Sequence, residues 1–144
     1  MKKTVKVNAS LGKGYRVDLQ AGRHSMIIDQ PESGGGEDQG PNPLDVLLFA
    51  LGGCLSTVAV IKAKQERIEL RGFGLEIEGD IDMAYLMGKT TEGRSGFTEV
   101  RVNAIIDADM TDEEKRVFFD QVHARCPASD NLINNTKIAF DIKQ

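Results

Sequence analysis

Tryptophan is absent from these 144 residues, tyrosine occurs twice and phenylalanine six times. With so few rings and no stripe of Lys and Arg, the chain lacks both the stacking platform and the electrostatic footprint that nucleic-acid binding needs. Positive charge is in the minority, with 18 Lys and Arg against 22 Asp and Glu and a net charge of -4. Cysteine is scarce as well. Its two copies lie far apart in the chain, which is too few for a disulfide scaffold, and a static bridge is unusual in a reducing cytosol. They are a redox pair or two ordinary core thiols. The first residues, MKKTVKV, alternate polar and apolar without the continuous apolar run of a secretory signal, so a cytoplasmic location is expected. No GxGxxG or Walker loop occurs, and Gly34-Gly35-Gly36 is followed by Glu37 and Asp38, the wrong sign for a phosphate cradle. The same acids lack the residue order of a calcium loop. Neither a cofactor nor a metal is expected.

What is present fits a single domain over residues 1–144, since domains cluster near ~100–150 residues. Residues 4–11, TVKVNASL, put Val5, Val7 and Ala9 on one face in period two, the pattern of a half-buried strand. Tyr15, Val17 and Leu19 repeat it after the Gly12-Lys13-Gly14 turn, and His24–Ile28 resumes it after Ala21-Gly22. The short connections predict an antiparallel meander. Residues 30–43, rich in Gly and Pro with Glu32, Glu37 and Asp38, form a loop, one able to move.

Asn42-Pro43 is a strong helix start, with Asn at the N-cap, Pro at the first helical position and Asp45 in the first turn. Residues 46–61 carry no charge, so a helix there is expected to be buried on every side. These sixteen residues reach only about 24 Å, short of the roughly 30 Å hydrocarbon slab, which favours a core helix over a membrane span. The helix is expected to continue through Lys62, Lys64 and Arg67. Strands follow at residues 73–82 and 97–108, joined by a long connection over 83–96. Thr111-Asp112-Glu113-Glu114 is a capping box, opening a helix that runs to about Arg125 and ends at Pro127. A short helical turn is expected over 129–135 and a last strand over 137–143, KIAFDIK. This order of elements is α+β.

Two consecutive glycines in an apolar helix, Gly52-Gly53, sacrifice about 1 kcal/mol of helix propensity each, so close backbone approach is expected there. Cys54 follows directly. A cysteine in a helix is more often a small core hydrophobe than a nucleophile. Cys126 lies where a helix ends, between Arg125 and Pro127, and Arg125 could favour a thiolate that the helix C-terminus opposes. A zinc set would draw on His24, Cys54, His123 and Cys126, but it has no CxxC or HExxH core.

Residues 34–48, GGGEDQGPNPLDVLL, run on through Leu51-Gly52-Gly53-Cys54, and Arg125-Cys126-Pro127 follows later. Together they resemble the OsmC/Ohr family signature. The resemblance implies an OsmC-like fold with antiparallel sheets packed around a long buried central helix in an intertwined homodimer. It also implies reduction of organic hydroperoxides, with Cys54 as peroxidatic nucleophile, Cys126 as resolving partner and a dithiol of the lipoyl type as reductant. Relatives similar to Ohr hold the thiolate with an arginine fixed by a glutamate. Here the glutamate position is Leu44 and the acid comes one residue later as Asp45; the arginine has counterparts in Arg16, Lys13 and Arg23. Arg16 and Asp45 are the candidates for thiolate stabilisation and orientation. The rival expectation, from the Leu44 departure, is a non-catalytic small-molecule binder or redox sensor.

Overall fold

The computed structural model describes residues 1–143. The chain divides into two compact units, Met1–Leu47 and the residues from Leu48 onward.

The first unit is the expected meander: β1 (Asn8–Leu11), β2 (Val17–Ala21) and β3 (His24–Ile28) in the order β1-β2-β3, all antiparallel. The first strand is shorter than its alternation predicts: its pairing with β2 stops at Asn8 opposite Gln20, one residue before β2 ends, and residues 4–7 are not part of the ladder. Val5 and Val7 are exposed. Residues 30–40 are tied back to β3 rather than left loose. Asp29, at 2% exposure, accepts from the backbone N–H groups of Gln30, Glu37 and Gln39 at 2.7, 3.2 and 3.2 Å. The loop is drawn so close that a Cβ on Gly36 would stand 1.9 Å from the Gln30 carbonyl oxygen, and one on Gly40 2.2 Å from that of Ile27.

The long helix α1 (Pro43–Glu66) starts where Asn42-Pro43 predicts. Asn42 Oδ1 accepts from the N–H groups of Leu44 and Asp45, and Asp45 Oδ2 accepts from that of Asn42, a reciprocal cap.

In the second unit, β4 (Gly72–Ile81) and β5 (Phe97–Asp107) pair antiparallel over almost their full length. Their period-two face sets Phe73 opposite Ile106, Leu75 opposite Ala104 and Ile77 opposite Val102, and all six pack into the core. The connection between them contains one short helix, α2 (Met83–Leu86). The capping box at Thr111 and Glu114 opens α3 (Asp112–Ala124), and α4 (Pro127–Ile133) follows after two residues. The core is built from Leu51, Leu55, Val58, Ala59 and Ala63 of α1 with Ile106, Ala108, Phe118, Val122 and Cys126.

Three expectations need correction. The helix α1 is not buried on every side: its packed stripe holds Leu51, Leu55, Val58, Ala59, Lys62 and Ala63, while Leu47, Val60 and Ile61 are exposed and Phe49 is 66% exposed. One chain supplies enough surface to cover only one face. Residues 137–143 form no strand; an alternating segment becomes a strand only with a paired edge, and Ile138, Ile142 and Phe140, the last 91% exposed, meet none. Finally, α1 at 24 residues is about 36 Å long and could cross a membrane by length and composition. Its stripe is committed to a protein core, however, and that stripe includes Lys62, whose ammonium lies 5.6 Å from the Phe118 ring centroid and pairs with Glu66.

Candidate functional site

Cys126 directly follows the trailing end of α3, as expected, its N–H donating to the His123 carbonyl at 3.1 Å, but it also begins a second helix. α3 closes at Arg125, and Cys126 is the N-cap of α4 with Pro127 at the first helical position. Proline forces this arrangement. It holds the preceding residue extended, and Cys126 has φ -83° and ψ 114°, while its own fixed φ starts a new helix. The N–H groups at the start of α4 therefore point back at sulfur. Ser129 N–H donates to Cys126 Sγ at 3.5 Å, so the positive end of these amides stands beside the negative helix end expected there.

Cys54, one turn along α1 from Leu51 and beside Leu55, packs against the same core. Its thiol lies near enough to that of Cys126 for each to act on the other's ionisation, and the Ala128 N–H lies near both sulfurs. Both thiols are free. Their environments differ. Burial pushes the Cys54 thiol up, the Ala128 amide offsets part of that, and the neighbouring Cys126 sulfur raises it further. Burial also acts against ionising Cys126, but the Ser129 amide and hydroxyl, the Cys54 thiol and the Ala128 amide together outweigh it and bring the Cys126 thiol below its ordinary value. Cys126 is 1% exposed and Cys54 half-buried. A cavity of about 150 Å³ adjoins through Ser129, lined otherwise by Leu51, Val100, Val102, Leu132, Ile133 and His123.

The structure thus brings together the two cysteines. The other two candidates lie in the first unit, each with local partners. Arg16 donates to Asp18 and to Gln39, both at 2.8 Å, and Asp18 beside it raises its already high pKa. Asp45 caps the backbone of Asn42. Lys13 supplies a turn carbonyl to the Arg16 N–H. Among the described residues no three His, Cys, Asp or Glu side chains converge as metal ligands. Two contributors escaped the sequence reading, Ala128 and Ser129. The available signal was Cys-Pro itself: a proline that opens a helix turns the next free amides toward the preceding side chain.

A long helix, two small antiparallel sheets and two free thiols on one core, one from a helix and one from a helix N-cap, define an α+β thiol protein. The chain belongs to the OsmC-like family: the family model, described as OsmC-like protein, matches residues 35–141. A hydroperoxide reductase of Mycoplasma genitalium is similar at 24% identity over 143 residues, covering 99% of this chain and 96% of the relative. The fold is shared with an OsmC-like protein from Mycoplasma pneumoniae at TM-score 0.80 and 23% identity, covering 92% of this chain and 89% of that one. It is shared too with an organic hydroperoxide resistance protein OsmC from Legionella pneumophila, at TM-score 0.67 and 20% identity over 90% and 89% of the two chains.

Proposed function

We propose that the protein is a cytoplasmic, dimeric, thiol-dependent reductase of organic hydroperoxides, with Cys54 as the attacking sulfur and Cys126 as the resolving one. What supports this reading is that the chain's only two cysteines, remote in sequence, meet at one core, Cys54 packing against the cluster that holds Cys126. A thiolate attacks the terminal peroxide oxygen, the alcohol leaves, and the sulfenic acid condenses with the second thiol before further oxidation. The apolar residues about the pair favour an organic peroxide over hydrogen peroxide, and a dithiol reductant of the lipoyl type would reopen the disulfide. The relative named hydroperoxide reductase supports the same chemistry. Arg16 as thiolate stabiliser and Asp45 as orienting acid belong to the proposal.

The homodimer is proposed on three features. Phe49, Val60 and Ile61 of α1 are exposed and apolar, a Cβ on Gly53 would meet nothing within 4 Å, and the alternating tail at 137–143 lacks an edge to pair with. A second copy would cover all three.

Exposure to cumene hydroperoxide tests the function. The chain should lose about 2 Da by intact mass as two thiols become one disulfide, dithiol should sustain turnover, and Cys54→Ser should be inactive. The second reading, a non-catalytic binder or sensor, is favoured by Leu44 at the glutamate position and by the local engagement of Arg16 and Asp45. It prevails if both thiols persist and peroxide is consumed no faster than by free cysteine.

A further inference from the structure

Helix α3 sorts its side chains onto two faces at helical spacing. Lys115, Arg116 and Phe119 share a hollow with Val102 and Ala104 of β5, with Asp112 and Asp120 beside them. Glu113, Glu114, Val117, Phe118 and Gln121 line a second cleft, together with Glu66 and Ile68 at and beyond the end of α1 and Asp109 and Met110 ahead of α3. Neither Cys54 nor Cys126 lines it.

This second cleft has a volume of about 430 Å³, within the range of roughly 300–1,000 Å³ that small-molecule sites occupy. Ile68, Met110, Val117 and Phe118 give it an apolar lining, and Val117 is 45% exposed, so apolar surface lies open there. Every charged residue along it is acidic. Lys64, Arg67, Lys115 and Arg116 belong to the same stretches of chain, and none of them lines it. Two of the four acids are offset from outside the lining: Glu66 pairs with the buried Lys62, and Asp109 with Arg71 at 3.1 Å. Glu114 accepts from the Thr111 N–H at 2.7 Å, which leaves its charge in place. Glu113 is exposed and has no side-chain hydrogen bond or ion pair among the described residues. Two carboxylates thus remain uncompensated beside an apolar wall. A simple cation would leave that wall in water, a neutral apolar molecule would leave the charge unanswered, and an anion would be repelled. What complements the cleft carries an apolar body and one positive charge.

We infer that the cleft between α3 and the end of α1 is a binding site for a small protonated organic amine with a compact apolar body. The body lies on Ile68, Met110 and Val117, and the ammonium is set against Glu113 and Glu114. The site is independent of the thiols, so it stands or falls apart from the peroxide reading.

Phenylbutylamine is the probe, titrated into the full chain by calorimetry and followed by backbone amide shifts, with phenylbutyrate as a partner of the same body and opposite charge. The amine should bind saturably at about 1 mM or tighter, and the carboxylate at least about tenfold more weakly. Amide shifts should gather at Ile68, Met110 and the first two turns of α3. Glu113→Gln should weaken the amine by about two- to fivefold, Val117→Ala by about threefold, and added salt should weaken it further. The comparison of the two probes needs no variant, so a substitution that harms folding does not remove the test. Equal binding of amine and carboxylate, shifts centred on Cys54 and Cys126, or no saturable binding would each overturn the inference. So would shifts at the cleft that follow protein concentration without any probe, since a second copy would then be its occupant.

Discussion

Asp29 shows how much one side chain can organise. It sits at the end of β3, accepts three backbone N–H groups, and thereby bends the Gly-rich segment onto the strand. Burial raises its carboxyl, but those amides and the nearby Arg16 guanidinium bring it below the ordinary value. The consequence for stability has a definite sign. The folded pKa is depressed, so the contribution is complete above the unfolded carboxyl value of about 3.9 and is lost as pH falls through the folded value. Asp29→Asn should lower the thermal midpoint at neutral pH and open residues 30–40 to proteolysis, because its amide N–H₂ meets backbone donors. Melting both proteins along a descending pH series should show the gap closing in acid; a gap that stays constant would mean the carboxylate charge is not what holds the loop. Nothing in the local pattern marked Asp29, since its partners lie up to ten residues away. Gly36 and Gly40 were visible as loop glycines, but their purpose, making room for the Gln30 backbone and for that of Ile27 in β3, shows only in three dimensions.

Elements were legible where the signal is local or self-contained. β4 and β5 pair with each other, so their alternation is satisfied within one hairpin and reads correctly from Phe73, Leu75, Ile77, Val100 and Val102. The helix starts at Asn42 and Thr111 were equally plain, because cap and partner lie two or three residues apart. Thr111→Ala removes a side-chain acceptor from the Glu114 N–H and should destabilise the fold by about 1 kcal/mol in urea unfolding, with the proposed peroxide chemistry unchanged because neither thiol lies within α3. The junction between α3 and α4 was misread for an instructive reason. Proline ends one helix and begins another with equal ease, and taking only the first half of that rule places Cys126 at the negative end of α3 without the positive end of α4 that meets it. Residues 4–7 and 137–143 carry a strand pattern without strand structure, because alternation records a preference for an edge that one chain does not provide.

At the scale of the whole molecule, these unpaired patterns and the exposed half of α1 describe the same deficit. A helix with a charge-free run over residues 46–61 buries one stripe and leaves Phe49, Val60 and Ile61 in water. Covering a large aromatic side chain is worth about 1.5–3 kcal/mol, so a few such residues together supply a strong drive to associate. If the second copy seats on this face, Phe49→Glu should shift sedimentation from dimer toward monomer, whereas Thr111→Ala, away from that face, should leave it unchanged at the same protein concentration. The thiol contact is a separate matter. Cys54 and Cys126 belong to one unit of one chain, so a monomeric Phe49→Glu protein should still form the disulfide within a chain when oxidised. Substrate handling should suffer instead, because the accessible side of Cys54 would then open to bulk water. A Phe49→Glu monomer that cannot form the bridge would mean that the partner copy, and not the chain's own core, holds the two sulfurs together.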